Sequence, residues 1–221
     1  MPPTTQQFTQ YQKLYDYYNE QLFGGELPLC LLNLSRKTAR VCGHFSRNRW
    51  KGKDGTQTHE INLNPVYMAQ ADDMDICQTL VHEMVHLWQY EFGKPSRAGY
   101  HNKEWANKME AVGLTPSHTG KEGGRKTGQQ MSDYATPDGV FLKVYESMPS
   151  ELLLPFKSTE RVGGKTFEGG VVVADGAAEG AVAKPPKKNK VKYTCSCGCN
   201  VWGKPKLHII CGECKAEFQA E

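Results

Sequence analysis

The chain has 221 residues, a length that suits one ordinary domain with a small additional unit, or one larger domain. With 38% hydrophobic and 23% charged residues, it can form a sizeable core, although not across every residue. Its formal net charge is only +3, which excludes nucleic-acid binding through overall charge, so any such contact needs a local patch. No apolar run approaches the about 18 residues of a membrane helix. The N-terminal sequence has neither the basic nor the apolar region of a secretory signal, so we expect a cytoplasmic protein without a membrane partner.

The first part of the sequence predicts one helix followed by three strands. Residues 8–23 place aromatic and leucine side chains on one helical face, and Gly24 with Gly25 ends the helix. The basic, turn-rich "RNRWKGKDGTQ" is interpreted as the connection between the second and third strands. The three strands are predicted at "LPLCLLNLS", "RVCGHFS" and "THEINLN".

The middle of the chain predicts two further helices. "ADDMDICQTLVHEMVHLWQYEFG" carries an apolar stripe at helical spacing, with Asp72 or Asp73 as its cap and Gly93 at its end. "HNKEWANKMEAVG" predicts a second, shorter helix. Residues 115–132 are polar and contain several glycines, which predicts a loop, and "GVFLKVYE" predicts one more strand.

Two histidines lie four residues apart on the longer of these helices, in "HEMVH". Residues at this spacing share one helical face, so His82 and His86 can direct their imidazoles at one ion, with Glu83 near a water on that ion. An ordinary helix with two packed histidines is the alternative. Burying such polar groups among apolar neighbours would be costly without a purpose. The sequence therefore predicts a zinc site with Glu83 as general base.

A catalytic zinc site uses three protein ligands and keeps one position open. Gln89 and Phe92 stand where the extended pattern H-E-x-x-H-x-x-G-x-x-H has glycine and its third histidine, so that pattern is excluded. The next helix offers His101, fifteen residues after His86, and Glu104 as the alternative. We expect His101 to be the ligand. Other nearby polar residues are expected to be surface or hydrogen-bonded groups (His44, His59, His118) or candidates for stabilising an oxyanion (Tyr100, His118, Tyr134).

Five of the eight cysteines fall within twenty residues near the end of the chain. Clustered cysteines in a reducing compartment favour a metal over disulfides. Cys211 and Cys214 form a C-x-x-C pair that presents two thiolates to one ion. Two further ligands are expected from the three cysteines of "CSCGC". His208 is an alternative to one of them. The spacing predicts a zinc ribbon over residues 193–221, too small to fold without its metal.

The segment before the ribbon differs from the rest in composition. Residues 158–192 are rich in small residues and glycine and then in lysine, which predicts a flexible linker after a domain at 5–157. Its end, "KPPKKNKVK", has five lysines in nine residues, and Trp202 follows with further lysines. Lysines near an exposed aromatic suit phosphate contact and base stacking, which predicts binding of single-stranded or damaged DNA. A solubilising linker with a core tryptophan is the alternative.

Several motifs, taken in order, resemble the SprT-like family, which includes the bacterial SprT proteins and the eukaryotic protease Spartan. The resemblance covers most of residues 8–145 and the cysteine segment. At Asn102 the chain departs from the glycine that family members often carry beside the third histidine. The motifs that carry the resemblance are "LYDYYNEQLFGGELP", "CGHFSRNRW", "EINLNP", "LVHEMVHLW" and "GYHNKEWANKMEAVGL".

The resemblance implies an α+β, zincin-like metalloprotease domain: an N-terminal helix, a small three-stranded sheet, the H-E-x-x-H helix and a following helix, with a C-terminal zinc ribbon. It implies that Glu83 is the catalytic base. It also favours Cys195 and Cys197 over Cys199, because bacterial SprT proteins have a similar C-x-C-G. The implied ligands are His82, His86 and His101 for a catalytic zinc ion and Cys195, Cys197, Cys211 and Cys214 for a structural one.

The function expected from these features is that of a zinc metalloendopeptidase acting on DNA-associated or DNA-crosslinked proteins. A non-catalytic zinc-binding regulator associated with DNA is the alternative. A fourth protein ligand at the histidine site would favour that regulator, and an open position would favour the enzyme. A peptidase of small free peptides, without a nucleic-acid partner, is a third possibility.

Overall fold

A computed structural model describes residues 1–35, 41–159, 165–168, 171–174 and 191–220, with the two short segments 165–168 and 171–174 described by their backbone alone. The chain divides into two compact units, residues 1–176 and 177–221. The predicted linker at 158–192 lies mostly outside the described residues. Its described part includes two short strands that pair with each other, and the flexible linker stays a prediction.

The first unit mixes helices and strands, which is compatible with the predicted α+β class. Its helices are joined by short strands, and a 3₁₀ turn, Ser150–Leu152, follows the last helix. In chain order the elements are α1 (Pro3–Phe23), β1 (Leu31–Leu34), β2 (Gly43–Lys51), β3 (Gln57–Leu63), α2 (Pro65–Met68), α3 (Asp73–Phe92), α4 (Lys103–Ala111), β4 (Leu114–Ser117), β5 (Ser132–Ala135), α5 (Val140–Ser147), β6 (Lys165–Glu168) and β7 (Val171–Ala174).

The helix boundaries follow from local chemistry. Helix α1 ends at Gly24, whose φ of 64° is the left-handed conformation that glycine adopts readily. Helix α3 begins at Asp72, whose carboxylate accepts a hydrogen bond from the backbone N–H of Asp75 at 2.8 Å and completes a capping box. Helix α4 begins at Asn102, whose side chain accepts from the N–H of Trp105. The predicted ends at Gly24 and Gly93 and the predicted cap at Asp72 are confirmed.

The three predicted strands form one sheet in the order β1–β3–β2, with β1 parallel and β2 antiparallel to the central strand β3. Helix α3 packs against β2 and β3. Ile61 and Leu63 of β3 are fully buried, as their alternation predicts, while Glu60 and Asn62 alternate with them. The core that joins the sheet to α1, α3 and α4 includes Tyr11, Leu14, Tyr15, Tyr18, Leu80, Met84, Trp105 and Met109. This packing fixes the helix that carries His82 and His86 against the sheet.

Three predictions about strands and loops are wrong. "GVFLKVYE" forms helix α5, because Phe141, Val144 and Tyr145 recur at helical spacing and Phe141 stacks on Tyr18. "RNRWKGKDGTQ" is not a separate connection, since β2 continues through it to Lys51 and only the turn at 52–56 joins β2 to β3. The predicted loop at 115–132 is shorter, because its two ends belong to the antiparallel strands β4 and β5.

The second unit is a small three-stranded sheet in the order β10–β8–β9, formed by β8 (Val191–Thr194), β9 (Asn200–Gly203) and β10 (Gln219–Ala220). Among its described residues the buried cluster consists of Tyr193, Cys195, Cys211 and Phe218. A core this small supplies little hydrophobic stabilisation, which makes cross-linking by a metal important for folding. None of the described helices of the protein is long and apolar enough to span a membrane.

Candidate metal centres

The structure brings the three predicted histidines together. His82 and His86 lie one turn apart on α3, and His101 lies just before α4. One ring nitrogen from each falls within 4.8 Å of the others, and the Nε2 atoms of His86 and His101 are 3.1 Å apart. Within the described ranges no fourth histidine, cysteine or acidic residue joins this group. A donor set of three imidazoles suits a metal such as zinc and leaves a further coordination position open.

Two of the three rings are oriented by hydrogen bonds on the side away from the cluster. His82 Nδ1–H donates to Asp133 Oδ1 at 2.7 Å, and His101 Nδ1–H donates to the carbonyl oxygen of Gly128 at 3.2 Å. With the proton on Nδ1, the lone pair of each ring is on Nε2. Metal-binding histidines are commonly oriented by such partners. The residues present therefore fit a metal ion, because these two rings direct an unprotonated nitrogen toward the centre of the cluster.

Burial and proximity set the charge state of the rings. Burial would lower the pKa of His82, but the hydrogen bond and charge of Asp133, with the charge of Glu83, raise it above its ordinary value. Burial, with the nearby His82 and His101, holds the pKa of His86 well below its usual range. Burial, with the nearby His82, lowers the pKa of His101 to about 4, although the Gly128 carbonyl opposes this. His86 and His101 are thus neutral near pH 7, which is the form that binds a metal.

Trp105 forms a hydrophobic wall for the cluster. Its ring is fully buried, and its centroid lies 4.3 Å from that of His101, 5.1 Å from that of His82 and 5.4 Å from that of His86. The helical spacing of the sequence does not indicate that Trp105 touches all three histidines. A wall of this kind limits rotation of the rings and excludes water from one side of the site.

Glu83 is held close to the edge strand of the sheet. Its residue is only 6% exposed, and it lies on the helix between the two histidines. Strand β2 begins at Gly43 directly against it: a Cβ at Gly43 would lie 3.2 Å from Glu83 Cγ and 2.9 Å from both Thr79 Cγ2 and the Asn62 carbonyl oxygen. A side chain at position 43 would therefore displace this part of α3 or β2. Gly43 is required here for close approach, since its φ is not in the left-handed region.

The segment that carries His101 is fixed at both ends by side chains. Gln89 Nε2 donates to Asn102 Oδ1 and to Glu104 Oε2, both at 2.8 Å, and the backbone N–H of Lys94 donates to the same Glu104 oxygen at 2.7 Å. Asn102 Nδ2 donates to the Lys94 carbonyl at 3.0 Å. We call this set of contacts the loop clamp. Gln89 and Asn102, two of the residues that depart from expected motifs, thus hold the approach to His101 in place.

The remaining polar residues singled out by the sequence have other surroundings. Glu104, the alternative third ligand, belongs to the loop clamp and not to the histidine group. His59 Nε2 pairs with Glu91 at 2.9 Å, and His44 Nε2 lies 3.5 Å from Glu60. His118 Nδ1 accepts a hydrogen bond from the backbone N–H of Arg125. The oxyanion candidates Tyr100 and Tyr134 adjoin His101 and Asp133 in sequence.

Asp133 is the residue that the sequence analysis missed. It lies on β5 in "SDYA", 51 residues after His82, within a stretch without any metal-site motif. Asp133 is 7% exposed, and no hydrogen-bond partner for Oδ2 is found among the described residues. The only usable signal was its chemistry, since a buried carboxylate needs a partner and a metal-binding histidine needs an acceptor.

The second unit gathers four cysteines. The sulfur atoms of Cys195, Cys197, Cys211 and Cys214 lie within 4.8 Å of one another, with Cys195 Sγ 3.2 Å from Cys214 Sγ and Cys197 Sγ 3.6 Å from Cys211 Sγ. Cys199, the competing residue, is not part of this group. Four thiolates in this arrangement suit a tetrahedral structural zinc site.

Of the two turns that carry these cysteines, the one with Cys211 and Cys214 favours thiolates. At Cys195 and Cys197 backbone N–H groups lower the pKa, but hydrogen bonds with the neighbouring thiols raise it above the ordinary value. Each turn is closed by backbone hydrogen bonds: Gly198 N–H donates to Cys195 O at 2.8 Å, and Cys211 N–H donates to Ala216 O at 2.8 Å. The backbone N–H groups of Cys214 and Glu213 lower the pKa of Cys211. The backbone N–H of Ala216, with Cys195, lowers the pKa of Cys214 to about 6. Deprotonated thiols are the form that coordinates a metal.

His208 does not join the cysteine group. It is a strongly exposed side chain whose Nδ1 lies 2.9 Å from Glu217 Oε1. The alternative in which His208 replaces a cysteine therefore has no support from the geometry. The predicted four-cysteine set is the one that the fold of this unit brings together.

Comparison with known proteins identifies the family. A sequence model of the SprT-like family matches residues 11–123, a span that includes the second half of α1, the three-stranded sheet, α3, α4 and all three histidines. A protein of Salmonella typhimurium, described as an uncharacterized protein in the mucB 3' region, is 39% identical over 56 residues, which are 25% of this chain and 74% of that protein. No solved structure matches the chain. The family model covers half of the chain together with its candidate metal centre, and the chain belongs to the SprT-like family.

Proposed function

We propose that the protein is a zinc-dependent endopeptidase of the zincin type, with the histidine centre as its catalytic site. The observation that carries this proposal is the set of three imidazoles, two of them oriented by hydrogen bonds, without a fourth ligand in the described ranges, beside the buried Glu83. Zinc bound there would lower the pKa of a water molecule and polarise a peptide carbonyl. The four-cysteine centre would hold a second, structural zinc ion.

The side chains around the centre have different roles. Glu83 acts as the general base that takes a proton from the attacking water and delivers it to the leaving amine. Asp133 and the Gly128 carbonyl hold two imidazoles with Nε2 directed inward, and Trp105 keeps one side of the site dry. A rigid arrangement of this kind favours catalysis because the reacting groups need little reorganisation.

Replacing Glu83 with glutamine tests the catalytic proposal. Glutamine keeps the shape of the side chain but cannot take a proton, so we expect cleavage of a protein crosslinked to a single-stranded oligonucleotide to fall about 10²- to 10⁴-fold while zinc content is unchanged. Glu146→Gln, an exposed change on α5, is the matched control. Equal cleavage by Glu83→Gln and the parent chain would refute the role of Glu83. A parent chain that binds zinc without cleaving any protein would favour a DNA-associated regulator.

We further propose that the substrates are proteins on DNA in the cytoplasm and that the ribbon contacts the nucleic acid. Trp202 on β9 is 63% exposed and lies opposite Lys192 on β8. Tyr193 Oη fixes the loop after β9, since it donates to the Lys204 carbonyl and accepts from the N–H of Leu207. An exposed indole beside lysines suits base stacking and phosphate contact. Most of the lysine run at 184–192 lies outside the described residues.

The ribbon proposal is tested by the affinity of the full chain for a labelled oligothymidylate. Trp202→Ala is expected to weaken binding about 5- to 150-fold, the range for loss of one stacked base. Ile210→Ala, which removes another exposed apolar side chain from the same unit, is expected to leave affinity unchanged. If both variants bind as the parent does, the ribbon does not stack bases through Trp202.

A further inference from the structure

The edge strand β2 contains a three-residue bulge beside the histidine centre. Ser46 pairs with Glu60 and Trp50 pairs with Thr58, so residues 47–49 stand opposite the single residue His59. Asn48 at the middle has a φ of 44°, a left-handed conformation that asparagine tolerates better than most residues. Its backbone N–H donates to His59 Nδ1 at 2.9 Å. Bulges of this kind redirect side chains and are common next to active sites.

Side-chain contacts attach the bulge to the helix that carries the candidate ligands. Asn48 Nδ2 donates to Tyr90 Oη at 3.2 Å, and His59 Nε2 pairs with Glu91 at 2.9 Å. Arg47 lies over the Tyr90 ring, 6.0 Å from its centroid. Tyr90 comes one helical turn after His86. The position of the bulge is therefore fixed relative to the histidine centre.

The bulge and the turn after it concentrate positive charge. Residues 47–57 contain four basic residues and one acidic residue, so this short segment has the same net charge as the whole chain. All four basic side chains are exposed, and none of them forms an ion pair with another described residue. The acidic residue, Asp54, is occupied within the turn, where its Oδ1 accepts from Thr56 N–H and Thr56 Oγ1–H.

An aromatic ring is held among these cations. Trp50 is 44% exposed although tryptophan usually buries most of its surface. Its Nε1–H donates to Glu60 Oε2 at 2.5 Å, and Glu60 is only 4% exposed. The indole is thus anchored at its polar edge by a buried carboxylate on the neighbouring strand while part of the ring remains in solvent. An anchored, exposed ring loses little side-chain entropy when a flat partner stacks on it.

We propose that Arg47, Arg49, Trp50, Lys51 and Lys53, here called the bulge surface, bind single-stranded nucleic acid beside the histidine centre. The basic side chains contact phosphates and a base stacks on Trp50. A single strand fits better than a duplex because its bases are free to stack on a protein ring. This inference rests on the proposed DNA-linked role, and it concerns the first unit rather than the ribbon. A nucleic-acid strand bound at the bulge surface would present a protein attached to it directly to the catalytic site.

The test is the binding of a labelled oligothymidylate by the zinc-loaded full chain across a series of salt concentrations. Arg47→Ala with Arg49→Ala is expected to weaken binding and to reduce the slope of log affinity against log salt by about 1.4, or about 0.7 for each lost phosphate contact. Lys13→Ala with Lys143→Ala removes the same charge from exposed helix positions and is the matched control. A slope equal to that of the control would overturn the proposal.

Fluorescence provides a second measurement that does not depend on removing the basic residues. In a Trp202→Phe chain, oligothymidylate is expected to quench the emission of Trp50. The other two tryptophans are shielded from a stacking base, because the ring of Trp105 is fully buried and Trp88 is partly buried. The further change Trp50→Phe should remove most of that quenching. If the quenching is the same with and without Trp50, no base stacks on this ring and the proposal fails.

Two outcomes would assign the bulge surface to another partner and overturn the proposal. In the first, Arg47→Ala with Arg49→Ala slows cleavage of an unfolded polypeptide without DNA but leaves oligonucleotide binding unchanged. That result would indicate that the bulge surface is a groove for the polypeptide substrate. The other is equal competition by polyglutamate of matched charge, which would indicate an unspecific anion surface. The ribbon proposal is judged separately: loss of binding in Trp202→Ala alone supports the ribbon and refutes the bulge surface.

Discussion

Replacing Asp133 with asparagine tests how the histidine centre is oriented. The His82 and Asp133 side chains are 13% and 6% exposed, and their hydrogen bond is 2.7 Å long. Asparagine has nearly the same size but no charge, so packing is preserved while the stabilising field at His82 is lost. Burial then lowers the pKa of His82 without compensation from Asp133, and its Nε2 becomes a weaker donor to a metal.

The expected effect is a 10- to 100-fold loss of zinc affinity, the usual result of removing an orienting partner, or about 1.4–2.8 kcal/mol. The upper end applies if the new amide turns its NH₂ group toward Nδ1. That orientation would favour the His82 tautomer with its proton on Nε2, the atom that faces the centre. The loss is substantial because solvent cannot replace a buried acceptor.

Zinc affinity is measured by competition with a chelator, in chains whose ribbon cysteines Cys211 and Cys214 are serine so that only the histidine centre contributes. Asp138→Asn, an exposed change five residues further on, is the matched control. Circular dichroism establishes that both variants are folded. Zinc affinity of Asp133→Asn within twofold of the control would refute the orienting role of Asp133.

Three further predictions concern the same two centres. Gly43→Ala should lower peptide cleavage about a hundredfold with zinc content unchanged, because the new Cβ would displace Glu83; equal cleavage would show that β2 yields instead. In urea unfolding, Trp105→Phe should change the free energy of unfolding by less than about 1 kcal/mol. The smaller ring loses packing, but the change also removes a buried N–H that has no partner among the described residues. Trp105→Ala should lower the free energy of unfolding by about 3–5 kcal/mol. Cys211→Ser with Cys214→Ser should reduce bound zinc from two ions to one, and two remaining ions would exclude the ribbon site.

The histidine centre was largely predictable because most of its geometry is local. The spacing of His82 and His86 within one helix determines their adjacency, and a short connection to the next helix limits where His101 can lie. Asp133 was not predictable in the same way. Its contact with His82 depends on the pairing of β4 with β5, and both strands lie in a polar stretch without apolar alternation.

The errors in secondary structure have equally specific causes. The segment "GVFLKVYE" contains β-branched and aromatic residues that suit a strand, and burial of Phe141 against Tyr18 decides in favour of a helix. The bulge at 47–49 interrupts the alternation of β2, so its second half resembles a connection. In the first segment packing selects between a helical and a strand pattern, both of which the sequence allows, and in the second the bulge hides the alternation of the strand.

The loop clamp has a consequence for engineering. Residues 95–100 are exposed, while the chain on either side is fixed by Gln89, Asn102, Glu104 and the backbone of Lys94. A guest sequence inserted between Ser96 and Arg97 would therefore lengthen an exposed tip without changing the anchored ends, at a closure cost of only about 0.6 kcal/mol per doubling of loop length. The position offers a site for a fluorescent tag or a binding module within a few residues of His101, so the protein could be retargeted without redesign of its candidate metal ligands.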